Sequence, residues 1–417
     1  MLRRHAVTII VFVALAQAVC SHASGNENAV SPSLTGLAVY SASGQAQIRF
    51  SVDAAATTGN PSDTYIGMGL GRSLEYFFLG LGIPSEKLWV NLKPQRAQDS
   101  VDPLVRDTDL GKIMLAADLT LKKDVSEVTN PRTSRTGREY WGRLYAKAQA
   151  LGIDEMPIAN RVWIIPGKAV LSETSDSVRI VNSPLQVCLE SDYLSESKRI
   201  PGKKAQELAQ YGTSLMREMV LPELNKKVNE GPAYENLRRA YRAVILARWF
   251  KQHYGTQQPR LLQTISAAIA KDLPSRLPYS SEQIYREYMQ SLRQGEYNFS
   301  EDSTGKLQSY LELITRRYFS GGIDLRLISV EHASGDRPAR EPGLRQRIFD
   351  LMIDGSKEHP IRYALSHIRA VAQDAPGLAV AGGSVADELP PLSPLELNKR
   401  DFRRRDPAIE RIMMNSL

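Results

Sequence analysis

The sequence predicts an α+β protein, in which a small antiparallel sheet with helices packs against a mainly α-helical C-terminal part. Short runs of alternating apolar residues concentrate before residue 200, whereas amphipathic helical periodicity dominates from residue 203 onward. With 42% hydrophobic and 24% charged residues the composition is that of an ordinary globular protein, and 417 residues suffice for two subdomains. We therefore predict a mixed part over 24–200 and a helical part over 201–373.

The mixed part begins with a predicted β-hairpin, whose strand-like runs 34–40 and 46–52 are joined by Ser-Ala-Ser-Gly. The glycine-spaced segment 67–82 is helical by pattern. Thr108 is the predicted N-cap of a helix with apolar residues at helical spacing, and another helix follows over 138–151. The remaining predicted strands cover residues 89–92, 161–165, 169–173, 178–181 and 185–189. In the first of these strands we expect Trp89 to pack in the core.

The helical part contains a series of amphipathic segments. Helices are predicted over residues 203–228, 233–254, 260–270 and 281–293, and again over 343–354 and 360–373. Pro222 is expected to kink or split the first helix, because proline lacks the backbone N–H that a helix interior uses. A further strand is predicted over 325–330.

Residues 1–23 have the order of a secretory signal peptide, with basic residues first, then an apolar core and then small residues. The apolar core is shorter than the about 20 residues that a bilayer span needs. We expect cleavage after Ala23, or alternatively after Ala18, and an exported protein that is periplasmic or secreted. The mature chain is expected to have no transmembrane span. Lipid attachment at Cys20 is a less favoured alternative, because the residues before it depart from a lipoprotein box.

Cysteine and histidine patterns favour neither a disulfide nor a metal site. After signal cleavage only Cys188 remains, and its alternating surroundings indicate a buried strand residue. The four histidines of the mature chain lack metal-ligand spacing, and we expect no metal and no cofactor. They are His253, His332, His359 and His367.

Four acidic residues are candidates for catalysis by paired carboxylates. Asp118 lies four residues before Lys122 on the Thr108 helix, where an exposed pair would contribute a few tenths of a kcal/mol. Glu190 and Asp192 close the strand region and could face a cleft, and Glu139 lies on the next predicted helix. If two of these acids share one concave site about 5 to 10 Å apart, a hydrolase is indicated.

The C-terminal end has two compositionally distinct segments. Residues 374–396 are rich in alanine, glycine and proline, which predicts a disordered linker. In the tail, 397–417, the basic residues Arg403, Arg404 and Arg405 adjoin apolar side chains. The tail is either a frayed, weakly helical end or a docking helix for an envelope partner or an anionic surface. Nucleic acid is not an expected partner, because basic and acidic residues are interspersed elsewhere in the chain.

Nine sequence blocks occur in one order along the chain. They are EKLWVNL (86–92), DLGKIMLAADLTLKK (109–123), GREYW (137–141), RVWIIPGKAV (161–170), LQVCLESDYL (185–194), LPELNKKVNEG (221–231), LRRAYRAVILARWF (237–250), GEYN (295–298) and RYFSGG (317–322). This ordered set resembles an uncharacterised group of exported bacterial proteins. The resemblance covers residues 63–322 and implies that this span is one structural unit, but it implies no activity.

The sequence therefore predicts an exported protein of the bacterial cell envelope with a non-enzymatic binding or scaffolding role. The alternative is an exported hydrolase of a cell-envelope polymer that uses two of the candidate carboxylates.

Overall fold

A computed structural model describes ten segments of the chain. They are residues 33–42, 45–53, 63–93, 101–153, 161–194, 202–255, 277–294, 321–333, 346–352 and 369–371. The predicted signal peptide, the helix over 260–270, the linker and the basic tail with Arg403, Arg404 and Arg405 lie outside these described residues.

The helices and strands of the described residues have the following bounds. The helices are α1 Asp63–Gly82, α2 Pro103–Arg106, α3 Asp109–Thr129, α4 Arg135–Leu151, α5 Glu190–Leu194, α6 Lys203–Leu215, α7 Leu221–Glu230, α8 Glu235–Tyr254 and α9 Ser281–Arg293. The strands are β1 Ser33–Ala42, β2 Gln45–Asp53, β3 Trp89–Val90, β4 Val162–Pro166, β5 Lys168–Glu173, β6 Ser177–Asn182, β7 Leu185–Leu189, β8 Gly322–Asp324, β9 Ser329–His332, β10 Gln346–Met352 and β11 Arg369–Val371.

The described strands form two sheets. Sheet A has the order β11-β10-β2-β1-β6-β5-β9, and sheet B has the order β3-β8-β4-β7. Neighbouring strands are antiparallel except for β5 with β9 and β4 with β8, which are parallel. The α+β class is confirmed, although the strands expected in one small antiparallel sheet are divided between two mixed sheets.

Helices α1 and α8 pack together beside sheet A around a cluster of aromatic rings. Phe77 of α1 makes edge-to-face contacts with Phe50 of β2 and Phe250 of α8, at ring-centroid distances of 5.1 and 6.1 Å. The two helices approach so closely at Gly80 that an added Cβ would lie 3.0 Å from the Cβ of Ala247. A larger residue there would crowd the contact, and its neighbours on α8 would have to shift by a few tenths of an ångström.

Local signals in the sequence correctly predicted where several elements begin. The Thr108 side chain accepts a hydrogen bond from the Gly111 backbone N–H, which is the N-cap expected for α3. The helix predicted over 281–293 from its amphipathic pattern is α9, and the structure adds a capping box of Ser280 and Gln283 at its start. Pro222 divides its predicted helix as expected, because a π-helical turn, Met216–Val220, separates α6 from α7.

Three predicted elements and one predicted packing position are wrong. In the helix predicted over 360–373, the described residues 369–371 instead form β11, because they pair with β10. Residues 346–352 form β10 rather than the predicted helix over 343–354, because their short apolar run pairs with β2 and fits either periodicity. The strand predicted over 325–330 is replaced by β8 and β9 on either side of a turn. Trp89 is only partly buried, whereas Val90 beside it is fully buried. The Trp89 ring lies against Arg326, whose guanidinium carbon is 5.8 Å from the ring centroid.

Candidate functional site

The first candidate acid, Asp118, forms an ion pair with Lys122 that has no contact with solvent. The Lys122 ammonium lies 2.5 Å from Asp118 Oδ1, and the two side chains are 1% and 0% exposed. The sequence placed the two residues four apart on one helix but left their exposure open, and the structure buries both. This burial arises because α3 is covered on several sides, by α4, α7, α8 and α9.

The buried pair also binds backbone groups from two other parts of the chain. Asp118 Oδ2 accepts a hydrogen bond of 2.6 Å from the Leu92 N–H, and Lys122 donates one of 3.0 Å to the Gly321 carbonyl. Leu92 follows β3 and Gly321 precedes β8, and these two strands are neighbours in sheet B. The pair therefore holds the start of one strand and the end of the other against α3.

Burial dominates the protonation of the pair. Desolvation raises the pKa of Asp118 to about 6, against the opposing effect of Lys122, and it lowers the pKa of Lys122. Such a shift is often found at catalytic groups. Here the carboxylate is fully enclosed and its oxygens are engaged by Lys122 and Leu92, so a polymer substrate has no access to it.

The second candidate acid, Glu139, lies on the exposed face of α4. Its carboxylate is 4.0 Å from the Arg143 guanidinium, and its side chain is about half exposed. Arg143 also bonds Glu218 at 2.9 Å, which links α4 to the π-helical turn. Glu139 therefore belongs to a surface ion-pair network.

The other two candidate acids lie on the short helix α5, and each has its own cation. Glu190 accepts hydrogen bonds from Trp163 Nε1 at 3.0 Å and from Arg161 at 3.4 Å. Asp192 receives two hydrogen bonds from Arg217, at 2.6 and 3.1 Å. Glu190 and Asp192 therefore lie on one short helix, whereas Asp118 lies on α3 and Glu139 on α4.

A polar cluster that the sequence reasoning missed lies beside α5. Asp324 at the end of β8 is fully buried and binds the Arg326 guanidinium through both carboxylate oxygens, at 2.7 to 3.0 Å. Tyr193 donates a hydrogen bond to Asp324 and accepts one of 2.8 Å from Arg326. Burial, followed by the adjacent carboxylate, raises the pKa of Tyr193 to about 12. The Asp-Leu-Arg spacing was the available signal, but only the fold brings Tyr193 to it.

Cys188 occupies the buried strand position expected for it. Burial, together with the charges of Asp192 and Asp324, raises the pKa of its thiol to about 12. Because the thiolate is the reactive form, this cysteine is unsuited to nucleophilic catalysis at neutral pH.

A groove lies between α8 and β9, the last strand of sheet A. We call it the β9 groove. Its cavity has a volume of about 150 Å³ and is lined by Leu171, Glu173, Ile245, Arg248, Trp249, Gln252, His253, Ile328, Val330 and His332. Apolar and aromatic side chains thus share the groove with one carboxylate and several nitrogen-bearing groups.

Hydrogen bonds fix the polar side chains on one wall of the β9 groove. The Glu173 carboxylate accepts a hydrogen bond of 2.7 Å from Trp249 Nε1, and it lies 3.2 Å from His332 Nδ1. The His253 ring stacks on the Trp249 indole with centroids 4.2 Å apart, and His253 Nδ1 contacts the Trp249 carbonyl at 2.9 Å. The sequence did not link these residues, because they come from three separate elements.

Strand β9 borders the groove, and all four of its residues are exposed. It pairs with β5 on one side, and no described strand adjoins its other side. Exposed large apolar side chains lie in and just before it, at Val330 and Leu327, which are 38% and 49% exposed. An exposed strand edge beside apolar surface is a common place for another chain to bind.

The described residues contain no cluster of three or more metal-ligating side chains suited to hold an ion. Among them there is also no helix with both the length and the apolar character needed to cross a bilayer. Neither the family models nor the curated proteins and solved structures with which the chain was compared include a significant match. Function must therefore be argued from the geometry of this chain.

Proposed function

We propose that this chain is an exported protein of the bacterial cell envelope whose role is to bind a partner rather than to catalyse a reaction. The observation that carries the binding role is the β9 groove, where an exposed strand edge adjoins a cavity of about 150 Å³. Export is supported by the order of basic, apolar and small residues over 1–23.

The state of the candidate acids supports binding over hydrolysis. A glycosidase needs two carboxyl groups that flank the scissile bond and are free to transfer protons. Asp118 is enclosed, and Glu139, Glu190 and Asp192 each lie beside an arginine. Each of the four acids is therefore either enclosed or paired with a cation.

The basic tail extends the proposal to a second contact. Arg403, Arg404 and Arg405 suit an anionic surface, at about 1 kcal/mol per basic residue near a negatively charged membrane. Replacing the three arginines by glutamine is expected to reduce co-sedimentation with phosphatidylglycerol vesicles, while phosphatidylcholine vesicles bind neither form. Equal sedimentation of both forms with the anionic vesicles would remove the tail from the proposal.

The export part is tested by expressing the full chain in a bacterium and separating periplasm, membrane and cytoplasm. We expect the protein outside the cytoplasm with an N-terminus near Ser24. Recovery from the cytoplasm with Met1 retained would refute export.

The choice between binding and hydrolysis is tested with purified peptidoglycan. Wild-type protein and the double variant Glu190→Gln, Asp192→Asn are expected to release equal, background amounts of soluble fragments. Release by the wild type that is lost in the variant would establish the hydrolase instead. Circular dichroism of both proteins serves as the control for folding.

A further inference from the structure

We propose that the β9 groove binds an extended peptide segment that adds to β9 as a new strand and places an acidic side chain against Arg248. This inference rests on the proposed binding role and specifies the partner. Strand addition gives affinity through main-chain hydrogen bonds, and side-chain pockets beside the strand give specificity.

The backbone of β9 is oriented for strand addition. The Ala333 N–H bonds the Leu171 carbonyl of β5, so Ala333 directs its N–H toward β5. Successive residues of a strand direct their backbone groups to opposite edges. Val330 and His332 therefore direct their N–H and C=O groups away from β5. No described strand lies on that side.

The side chains of the same two residues face the cavity. Val330 and His332 both line the β9 groove, while Glu331 between them pairs with Lys168 at 2.8 Å. This alternation follows from the period of two in a strand. An added strand would thus bond the backbone of residues whose side chains form the wall of the pocket.

The cavity suits one apolar side chain of the incoming segment. Its apolar surface comes from β5, β9 and α8, and Trp249 is held in place by Glu173. A volume of about 150 Å³ is too small for a drug-sized ligand, which needs roughly 300 Å³ or more, but it accommodates a single side chain.

Arg248 indicates the charge of the partner. Arg248 is partly buried and lines the groove, and its Nη1 contacts the Arg326 carbonyl at 3.4 Å in an exposed position. No carboxylate of the described residues pairs with Arg248, whereas Glu173, the carboxylate in the groove, is engaged by Trp249 and His332. Five N–H donors in a planar fork bind a carboxylate bidentately, so an acidic side chain complements this site.

Two other occupants fit the groove less well. A symmetric dimer would bring the same surface of two copies together. Each interface would then contain two Arg248 side chains, and the second copy would supply no carboxylate that the first lacks. Capture of a peptide C-terminus typically uses a nest of backbone N–H groups. The β9 groove instead presents a guanidinium on a helix, which suits the side-chain carboxylate of a segment that continues past the pocket.

The test uses the full-length protein on an array of octapeptides that are acetylated and amidated, so that neither end is charged. We expect bound peptides to combine an aspartate or glutamate with a nearby β-branched or apolar residue. Replacing that acid by its amide should weaken binding about tenfold, as expected for loss of a charge-assisted hydrogen bond. Hydrogen exchange at the Val330 and His332 amides should slow when peptide binds.

Protein variants separate charge from strand addition. Arg248→Gln should reproduce the tenfold loss, whereas Arg286→Gln, an exposed arginine on α9, should have no effect. Val330→Pro removes the outward N–H and should abolish binding, while Val330→Ala keeps that donor and retains measurable binding. Unchanged melting temperatures in all four variants exclude misfolding as the cause.

Several results would overturn the inference. They are an array without binders, binders that are indifferent to Arg248→Gln, binding that requires a free C-terminal carboxylate, or a dimer that dissociates in Val330→Pro. These failures are distinguishable from failure of the proposed function, because export and envelope association are measured in cells and do not depend on the array.

Discussion

Strands β7 and β9 are the outer strands of two sheets, yet their free edges differ. Along β7, Asn225 and Asn229 of α7 bond the backbone N–H and C=O of Val187 and Leu185, at 2.8 to 3.3 Å. The two asparagines are four residues apart, so they lie on one helix face and take the place of a neighbouring strand. Strand β9 has β5 on one side and no described strand on the other. The backbone of β7 is thus covered by α7 side chains, whereas the outer edge of β9 has no described strand beside it, as the proposed peptide site requires.

The opposite side of sheet B is held in a similar way. The backbone N–H of Leu92, just after β3, is bonded by Asp118, whose partner Lys122 binds the carbonyl before β8. Side chains from helices thus satisfy backbone groups at both sides of sheet B. The stability of the molecule should therefore depend on the contacts of sheet B much more than on β9.

The largest effect is expected at the buried pair. Lys122→Met leaves the Asp118 carboxylate buried without its cation and should lower the free energy of unfolding by about 3 to 5 kcal/mol in chemical denaturation. The matched control is Lys123→Met, because Lys123 pairs with Glu287 at the surface and its side chain is 43% exposed. The double variant Asp118→Asn, Lys122→Met should recover part of the loss. Equal stability of Lys122→Met and wild type would contradict the structural role.

The same pair should make stability depend on pH. The pKa of Asp118 is raised from 3.8 to about 6, so the folded state holds this proton more tightly than the unfolded state. The contribution of the Asp118 proton to folding stability is therefore complete below about pH 4 and is lost as the pH rises through about 6. Compared with Asp118→Asn, the wild type should lose stability over this interval. Parallel stability curves for the two proteins would count against the raised pKa.

Removing the asparagines that cover β7 should have the next largest effect. The double variant Asn225→Ala, Asn229→Ala loses four hydrogen bonds to the strand and should destabilise the protein by about 2 to 3 kcal/mol. Water should restore some of the lost hydrogen bonds, because both asparagine side chains are only partly buried. Lys226→Ala on the exposed side of α7 is the control. A double variant that melts like this control would show that the asparagines are dispensable.

The smallest effects on stability are expected when one valine in each of the two edge strands is replaced by threonine. Val187→Thr places a hydroxyl in the core, since Val187 is 2% exposed, and should cost about 1 to 3 kcal/mol. Val330→Thr introduces the same hydroxyl at a 38% exposed position and should change stability by less than about 0.5 kcal/mol. Similar losses in both strands would mean that β9 is covered in the folded protein.

Elements with strong local signals were predictable from the sequence. The hairpin of β1 and β2, the Thr108 cap of α3, the strands from β4 to β7 and the interruption at Pro222 all depend on neighbouring residues. Strand β10 was not predictable in this way, because its apolar residues suit a helix as well as a strand and pairing with β2 decides between them.

The functional features were decided by tertiary structure, because they join residues that are far apart in the chain. The sequence by itself determined that Asp118 and Lys122 share a helix face and that Cys188 lies in a strand. Only the packing around α3 buried the pair and changed its pKa values. Only the placement of α7 and α8 covered β7 and left β9 with a groove, since long-range contacts determine which edge of a sheet is exposed.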